Sequence, residues 1–218
     1  MEFLSVTILL IAVNVVFTFI GFSNSQFYAR FLFHIGSIRH HNQYHRLVTS
    51  GFLHADWAHL LFNMYSLYLF SRSTEAEIGS IPVIIIYMGS LVIGNLITLM
   101  VNYRNDDYHA VGASGAVSGM VFASVLLFPD SRMGLMLFPV MMPAWVFALV
   151  YIGFSMFGMR SGKDNIGHEA HLGGALGGVL LTIAIVPDYV NLGPLGIIGI
   201  IGLCAGVLGW GALHRRGA

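Results

Sequence analysis

A serine between glycines opens one of the apolar stretches of this chain. Ser114 lies in the segment Gly112-Ala113-Ser114-Gly115, and His171 stands at the beginning of a second apolar stretch. A serine hydroxyl is a weak nucleophile until a base accepts its proton, and imidazole is the most common base. The two residues therefore predict nucleophilic acyl-transfer chemistry, such as amide hydrolysis, provided that the fold brings them together.

Pairs of glycines follow both reactive residues. Gly115 and Gly119 come directly after the serine, and Gly174 and Gly178 follow the histidine, each pair with the GxxxG spacing. Small residues at this spacing allow two helix backbones to approach closely inside a membrane. If two helices pack through these faces, the serine and the histidine lie at similar depth. Because GxxxG is common in packed helices, the prediction depends on its coincidence with the two reactive residues.

A third apolar segment carries polar residues that suit the same reaction. His59 and Asn63 are four residues apart and therefore share one face of a helix. Attack on an amide carbonyl creates an oxyanion, and one donor positioned for it contributes about 3–4 kcal/mol to catalysis. We expect the side chains of His59 and Asn63 and the backbone N–H of Ser114 to supply such donors. Since no Asp or Glu lies at an obvious membrane depth near His171, the sequence predicts a Ser-His dyad.

The composition indicates which elements must position these residues. The chain has 218 residues, of which 56% are hydrophobic and 9% charged, whereas soluble domains carry about 25% charged residues. A spanning helix needs about 20 mainly apolar residues, so we predict an all-α polytopic membrane protein with one domain over residues 1–218. The net charge of zero excludes general attraction to nucleic acid. The predicted spans are Phe3–Phe22, His54–Phe70, Ile81–Val101, Ala113–Phe128, Leu135–Phe157, Ala170–Val186 and Pro194–Leu213.

Two connections and two spans have unusual features. The segment of about residues 23–53 mixes aromatic and basic residues, which is typical of the headgroup zone of a membrane. The spans Ala113–Phe128 and Ala170–Val186 are short, and each has a polar residue near its beginning. A helix that starts below the membrane surface needs partners for its free N–H groups. The short spans therefore predict an aqueous cavity that reaches into the bilayer.

The motifs together resemble those of the rhomboid intramembrane serine proteases. The GASG segment is similar to the GxSG motif of that family, Ala170-His171-Leu172-Gly173-Gly174 to its AHxxG motif, and His59-Leu60-Leu61-Phe62-Asn63 to its HxxxN motif. The resemblance implies a rhomboid-like bundle of six core helices with a seventh at the C-terminus (194–213), and a membrane hairpin at about residues 23–53. It implies catalysis by Ser114 and His171, oxyanion stabilisation by His59, Asn63 and Ser114, and structural support from Gly112, Gly115, Gly119, Gly174, Gly178, Arg46, His54 and Glu75.

The resemblance also implies the partners. Substrates would be transmembrane segments of other proteins that enter from the lipid bilayer. The reaction would need no cofactor and no metal. We expect the protein to lie in a bacterial inner membrane. Two positions depart from the family pattern. His45 replaces the tryptophan of the WR motif before Arg46, and Ser118 stands where many relatives carry an aromatic residue that stacks on the catalytic histidine. The second departure leaves the orientation of His171 open.

The orientation in the membrane and the activity each have an alternative. With the N-terminus inside, as in the family, only two of the ten Lys and Arg face inward, which opposes the positive-inside rule. A metalloprotease is disfavoured because His168-Glu169-Ala170-His171 lacks the spacing of HExxH. A transporter is disfavoured because the sequence shows no pair of repeated halves. A non-catalytic rhomboid-like protein that binds transmembrane clients remains the alternative, although both reactive residues are present.

Overall fold

The computed structural model describes residues 5–135, 138–161 and 167–216 as a bundle of helices with two small strand pairs. The helices are α1 (Val6–Ser23), α2 (Ser25–Phe31), α3 (Ile35–His41), α4 (Arg46–Thr49), α5 (Trp57–Ile78), α6 (Ser80–Val101), α7 (Ser114–Leu127), α8 (Ala144–Ser161), α9 (His168–Ile185) and α10 (Pro194–Arg216). The strands are β1 (Phe33–His34), β2 (His109–Ala110), β3 (Arg132–Leu135) and β4 (Phe138–Pro143). Antiparallel pairing joins β1 to β2 and β3 to β4.

Four of the described helices are long and apolar enough to cross a membrane: α1, α6, α9 and α10, the last over Pro194–Gly211. Their mean hydropathies range from 1.2 to 2.3. The helix α7 and the segment Ala144–Ser155 of α8 are apolar but shorter. The long helix α5 carries a charged C-terminal part. The predicted class, an all-α membrane protein with a helical bundle, is confirmed.

The helix α7 forms the centre of the bundle. All of its residues from Gly115 to Leu127 are buried, although the helix has only 14 residues. The helix α9 packs extensively against both α6 and α7, while α5 packs on α7 and α1 packs on α5. A helix that is apolar on every side is expected to be buried. The serine-bearing helix is therefore surrounded by the longer helices, so its position is determined on several sides.

The start of α5 is set by a side-chain cap. Asp56 accepts a hydrogen bond from the backbone N–H of His59 at 2.7 Å, which satisfies one of the free donors of the first turn. The helix then continues to Ile78 and ends at Gly79, whose φ of 84° belongs to the left-handed region. The cap places His59 in the first turn of α5. It also begins the helix at Trp57, whereas the predicted span began at His54.

Glu75, near the end of α5, caps a different helix. Its carboxylate accepts hydrogen bonds from the backbone N–H groups of Val6 and Thr7 at 2.7 and 3.1 Å, and from the Ser5 hydroxyl at 2.6 Å. These N–H groups belong to the first turn of α1, which has no side-chain cap of its own. A carboxylate at a helix N-terminus is also favoured by the helix dipole. Glu75 thus fixes the relative height of α1 and α5.

The segment between α1 and α5 folds around Arg46. The Arg46 side chain is only 7% exposed, and its guanidinium donates to the backbone oxygens of Ala29 and Leu32 at 2.9 and 2.6 Å. Its Nε donates to the Gln43 side chain at 2.7 Å. Burial lowers the pKa of Arg46 from its usual value, because the charged form loses hydration. Arg46 therefore anchors the end of α2 to α4.

A second link joins this segment to the connection between α6 and α7. The Asp106 carboxylate accepts from Arg39 at 2.5 Å, and its other oxygen lies 3.0 Å from His40 Nε2. The hydrogen bond with His40, followed by the charge of Arg39, lowers the pKa of the Asp106 carboxyl. The Gly36 N–H also donates to the Asp106 backbone oxygen at 3.0 Å. Together with the β1–β2 pair, these bonds attach α3 to the loop that leads into α7.

The predicted fifth span, Leu135–Phe157, is wrong at its beginning. Residues 132–135 and 138–143 form the β3–β4 pair, and α8 begins at Ala144. Pro139 and Pro143 explain the difference, because proline disfavours a helix interior and pushes the preceding residue toward extended backbone. Hydropathy alone did not distinguish this apolar strand pair from the helix after it. The predicted residue Phe3 of the first span lies outside the described residues.

Candidate functional site

Ser114 is the first residue of α7, and the loop before it is held in one conformation. Gly112 has a φ of 133°, which strongly favours glycine. Its N–H donates to the backbone oxygen of Ser50 at 3.0 Å, and the Ala113 N–H makes a long contact of 3.5 Å with His54 Nε2. The turn therefore presents the Ser114 side chain at the open end of the helix, where the N–H groups of the first turn have no intrahelical partner.

His59 lies against this turn. A methyl group built on Gly112 would lie 2.7 and 2.8 Å from Cε1 and Nε2 of His59, and 3.7 Å from Oγ of Ser114. One face of Gly112 is thus bordered by both side chains. Any side chain at position 112 would displace the imidazole. The glycine is needed for close approach as well as for its backbone angle.

The contacts of His59 place it at the site, whereas the bond described for Asn63 is made to its own helix. The Ala55 N–H approaches His59 Nδ1 at 3.5 Å, and this long contact favours the tautomer in which Nδ1 accepts and Nε2 carries the proton. The Asn63 amide donates to the backbone oxygen of His59 at 2.9 Å and has a second proton. His59 Nε2 therefore points a donor toward the Gly112–Ser114 turn from the first turn of α5.

The glycine pairs bring α7 and α9 into backbone contact. A methyl group built on Gly174 would clash with the backbone oxygen of Gly115 and would lie 2.6 and 2.9 Å from its carbonyl carbon and Cα. The same holds one turn further along, where a methyl group on Gly178 would lie 2.5 Å from Cα of Gly119. Both predicted GxxxG pairs thus meet each other. A side chain on either of the two α9 glycines would therefore force the helices apart.

The contact between α7 and α9 places Ser114 and His171 at the N-terminal ends of the two helices. Ser114 directly precedes Gly115, and a methyl group on Gly115 would lie 3.1 Å from the backbone oxygen of Ala170, the residue before His171. Both reactive residues are therefore neighbours of one backbone contact, in the first turns of α7 and α9. Ser114, His171 and His59 are partly exposed, whereas Ala113 and Gly115 beside them are buried.

His54 forms part of the support behind the serine. Its side chain is fully buried, and Nδ1 lies 2.9 Å from the hydroxyl of Thr18 on α1. Since His54 Nε2 accepts from Ala113, its Nδ1 carries the proton and donates to Thr18. Its ring also packs edge-on against His59, with centroids 5.1 Å apart. His54 thus connects α1 to both sides of the candidate site.

One aromatic residue near His171 was not singled out from the sequence, and the burial of one acidic residue was not predicted. Tyr151 of α8 lies with its ring centroid 6.3 Å from that of His171, and its hydroxyl forms a short hydrogen bond with Ser118. Glu169 is only 2% exposed in the first turn of α9, although the sequence indicated no acidic residue at this depth. Residues two apart on a helix point in different directions. Only the position of α8 reveals Tyr151 as a neighbour of His171, and only the packing of α9 shows that Glu169 is buried.

No group of three or more His, Cys, Asp or Glu side chains within residues 5–135, 138–161 and 167–216 is arranged to hold a metal ion. The described groups next to Ser114 include the imidazole of His59 and the free backbone N–H groups of the first turn of α7. These groups suit nucleophilic attack on a carbonyl and stabilisation of the resulting oxyanion.

Comparison with known proteins identifies the family of the chain. The protein-family model described as Rhomboid domain matches residues 41–188. A Bacillus subtilis protein named "Putative rhomboid protease YdcA" is 35% identical over 143 residues, covering 65% of this chain and 67% of that protein. "Rhomboid protein 1, mitochondrial" of Saccharomyces cerevisiae is 32% identical, covering 62% of this chain and 40% of its own length.

A chloroplast protein extends the comparison. "Rhomboid-like protein 11, chloroplastic" of Arabidopsis thaliana is 33% identical over 146 residues, which cover 64% of this chain and 51% of that protein. The chain thus spans about half or less of these two organellar relatives and two thirds of the bacterial one. Since the family model covers well over half of the chain and includes all three motifs around Ser114, His171 and His59, this integral membrane protein belongs to the rhomboid family.

Proposed function

We propose that the protein is an intramembrane serine endopeptidase with Ser114 as the nucleophile and His171 as the general base. The observation that carries the proposal is the backbone contact between α7 and α9, which holds both residues next to the pair Gly115 and Ala170. Positioning of this kind accounts for a large part of the rate in acyl transfer. The partial exposure of both side chains allows a peptide and water to reach them.

In the proposed reaction, Ser114 Oγ attacks the carbonyl carbon of the scissile peptide bond while His171 accepts the serine proton. The C–N bond then breaks, and the imidazolium delivers this proton to the leaving amine. A water molecule, deprotonated by His171, next attacks the acyl-serine ester. Its hydrolysis releases the carboxyl product and returns the proton to Ser114.

The oxyanion of both steps faces the turn around Gly112. We assign its stabilisation to the backbone N–H of Ser114, the Nε2–H of His59 and the side-chain amide of Asn63. The support for this assignment is the contact of His59 with Gly112 and the assignment of its proton to Nε2. Donors that are fixed before the reaction need no reorganisation in the transition state.

The substrates in this proposal are transmembrane segments of other proteins. The candidate site lies at the start of a short helix that is surrounded by membrane-spanning helices, so a peptide that reaches it must come from within or beside the bilayer. We place the protein in a bacterial plasma membrane. The bacterial relative supports this assignment, whereas other relatives are named as mitochondrial or chloroplastic proteins.

The decisive experiment uses the full chain reconstituted in liposomes with a single-span substrate. We expect cleavage by the wild type, and no cleavage by Ser114→Ala or His171→Ala. Ser124→Ala is the matched control, because Ser124 lies on the same helix and is 3% exposed. It should retain wild-type activity. Equal cleavage by wild type and Ser114→Ala would remove the serine from the mechanism.

A fluorophosphonate probe separates an enzyme from a non-catalytic client-binding protein. It reacts with a serine only when a base activates the hydroxyl. We expect labelling of the wild type and of Ser124→Ala, and its loss in His171→Ala. A wild-type protein that binds a transmembrane peptide but is neither labelled nor able to cut it supports the client-binding function instead.

A further inference from the structure

An aromatic side chain from α8 lies against His171 and is bonded to the helix that carries Ser114. The Tyr151 ring centroid lies 6.3 Å from that of His171, with an angle of 37° between the ring planes. Its hydroxyl bonds to Ser118, which lies one helical turn after Ser114. Aromatic rings interact favourably at centroid distances of about 4.5–7 Å. Tyr151 thus connects the helix of the serine with the side chain of the histidine.

The direction of the hydrogen bonds follows from the number of protons. The Ser118 hydroxyl donates its only proton to the backbone oxygen of Ser114 at 2.6 Å. It must therefore accept the proton of the Tyr151 hydroxyl. A chain of donors runs from Tyr151 through Ser118 to the carbonyl of Ser114. Because Ser118 is 1% exposed, water does not compete readily for these bonds.

The tyrosine ring is also fixed by its other neighbours. Phe122 of α7 meets it nearly edge-on at 5.7 Å and 74°, and Phe147 of α8 lies 6.5 Å away at 33°. The ring consequently has little freedom to rotate away from His171. The imidazole of His171 has a second aromatic neighbour, His168, at 5.9 Å, but this residue belongs to the same helix. Tyr151 therefore limits its orientation from the opposing helix.

We propose that Tyr151 is a positioning residue for His171. Its hydroxyl is held by Ser118, and its ring restricts the imidazole to the orientation in which it accepts the Ser114 proton. The inference rests on the proposed protease function. It explains how His171 is oriented although Ser118 is too small to stack on it, because the aromatic surface comes from α8 instead of α7.

Three variants of Tyr151 test this inference in proteoliposomes. Tyr151→Phe keeps the ring but loses the hydrogen bond, and we expect kcat within about 3-fold of the wild type, roughly the effect of one neutral hydrogen bond. Tyr151→Leu and Tyr151→Met remove the flat surface but retain an apolar side chain. For both we expect kcat to fall about 10- to 100-fold while KM changes less than about 2-fold, since misplaced catalytic groups affect mainly the transition state. The fluorophosphonate labelling rate should fall in parallel.

The control is Tyr68→Leu on α5, because Tyr68 is 47% exposed on the outside of the bundle. Its kcat and labelling rate should equal those of the wild type. Thermal unfolding in detergent identifies the variants that fold. If Tyr151→Leu does not fold, the kcat of Tyr151→Met tests the positioning role. A folded Leu or Met variant with wild-type kcat overturns the positioning role. That result is distinct from failure of the proposed function, in which Ser114→Ala and His171→Ala would themselves remain active.

Discussion

The contact between Gly174 and Gly115 makes the sharpest prediction, for the substitution Gly174→Ala. The added methyl group would lie 2.6 Å from the carbonyl carbon of Gly115 and 2.9 Å from its Cα. An ordinary contact between carbon atoms is about 3.5 Å. The neighbours are backbone atoms of a buried helix, so no side chain can rotate away. The carbonyl oxygen of Gly115 would be closer still, so the helices α7 and α9 must separate by at least about 0.9 Å at this point.

The separation acts directly on the proposed dyad. Gly115 follows Ser114, and Gly174 lies less than one helical turn after His171. A misplacement of about 1 Å between reacting groups lowers the rate about 10²-fold, which equals about 2.7 kcal/mol in the barrier. Overpacking costs about 1–3 kcal/mol of stability, but alanine recovers about 1 kcal/mol in a helix. We therefore expect a larger effect on kcat than on the free energy of unfolding.

The assay measures kcat, KM and the thermal unfolding midpoint for a series of glycine variants. Gly199→Ala on α10 is the matched control, because a methyl group there meets nothing within 4 Å. It should leave kcat unchanged and raise the unfolding midpoint slightly. Gly115→Ala should be intermediate, since its methyl group would lie 3.1 Å from the oxygen of Ala170. The expected order of kcat is Gly199→Ala, then Gly115→Ala, then Gly174→Ala.

Gly174→Ala that folds, unfolds at the wild-type midpoint and retains wild-type kcat would refute the reasoning. It would mean that the two helices do not approach as closely as described, or that their separation does not control the reaction. A uniform loss of kcat in all three variants, including Gly199→Ala, would also contradict it. In that case the activity depends on glycine itself and not on the crossing.

Three further predictions concern the oxyanion donors, the α1 cap and the loop link. His59→Ala should lower kcat about 10²–10³-fold with little change in KM, and steady-state kinetics that show only a raised KM would contradict this role. Glu75→Gln should lower the free energy of unfolding by about 1–2 kcal/mol because α1 loses a charged cap, whereas Glu77→Gln at an exposed position should not, as measured by denaturant titration. The pKa of Asp106 is depressed, so the stabilisation that its carboxylate provides is present at neutral pH and is lost as the pH falls through its folded pKa. The difference in unfolding midpoint between wild type and Asp106→Asn should therefore shrink in acid. A difference that grows in acid would argue against the link between Asp106 and α3.

Local patterns predicted the helices better than they predicted the connections between them. The apolar runs identified α6 almost residue by residue, because no proline interrupts that helix after its first turn. They failed at residue 135 and at residues 138–143, which form paired strands although they are equally apolar, because Pro139 and Pro143 disfavour a helix. The predicted span over α5 stopped at Phe70, although the helix continues to Ile78 with a charged last part. Hydropathy indicates only which residues prefer lipid to water. The end of a helix depends on its backbone hydrogen bonds, which can continue into charged residues.

The candidate site shows the same division. The residue types and spacing around Ser114, His171 and His59 were sufficient to indicate a family and a reaction, since both depend on short local motifs. The catalytic assignment of these residues stays a prediction until the variants are measured. The neighbours that orient them could not be predicted. Tyr151 lies on another helix, and nothing in its local sequence marks it as a neighbour of His171.

The sequence by itself determined that this chain lies in a membrane, which apolar segments supply most of its helices, and which few polar side chains they carry. These are properties of composition and of short periodic patterns. Only the tertiary structure decided that Gly115 meets Gly174, that Glu75 caps a helix far away in sequence, and that α8 supplies an aromatic surface to α9. Such contacts depend on how rigid helices pack against each other, and packing joins residues that no local pattern connects.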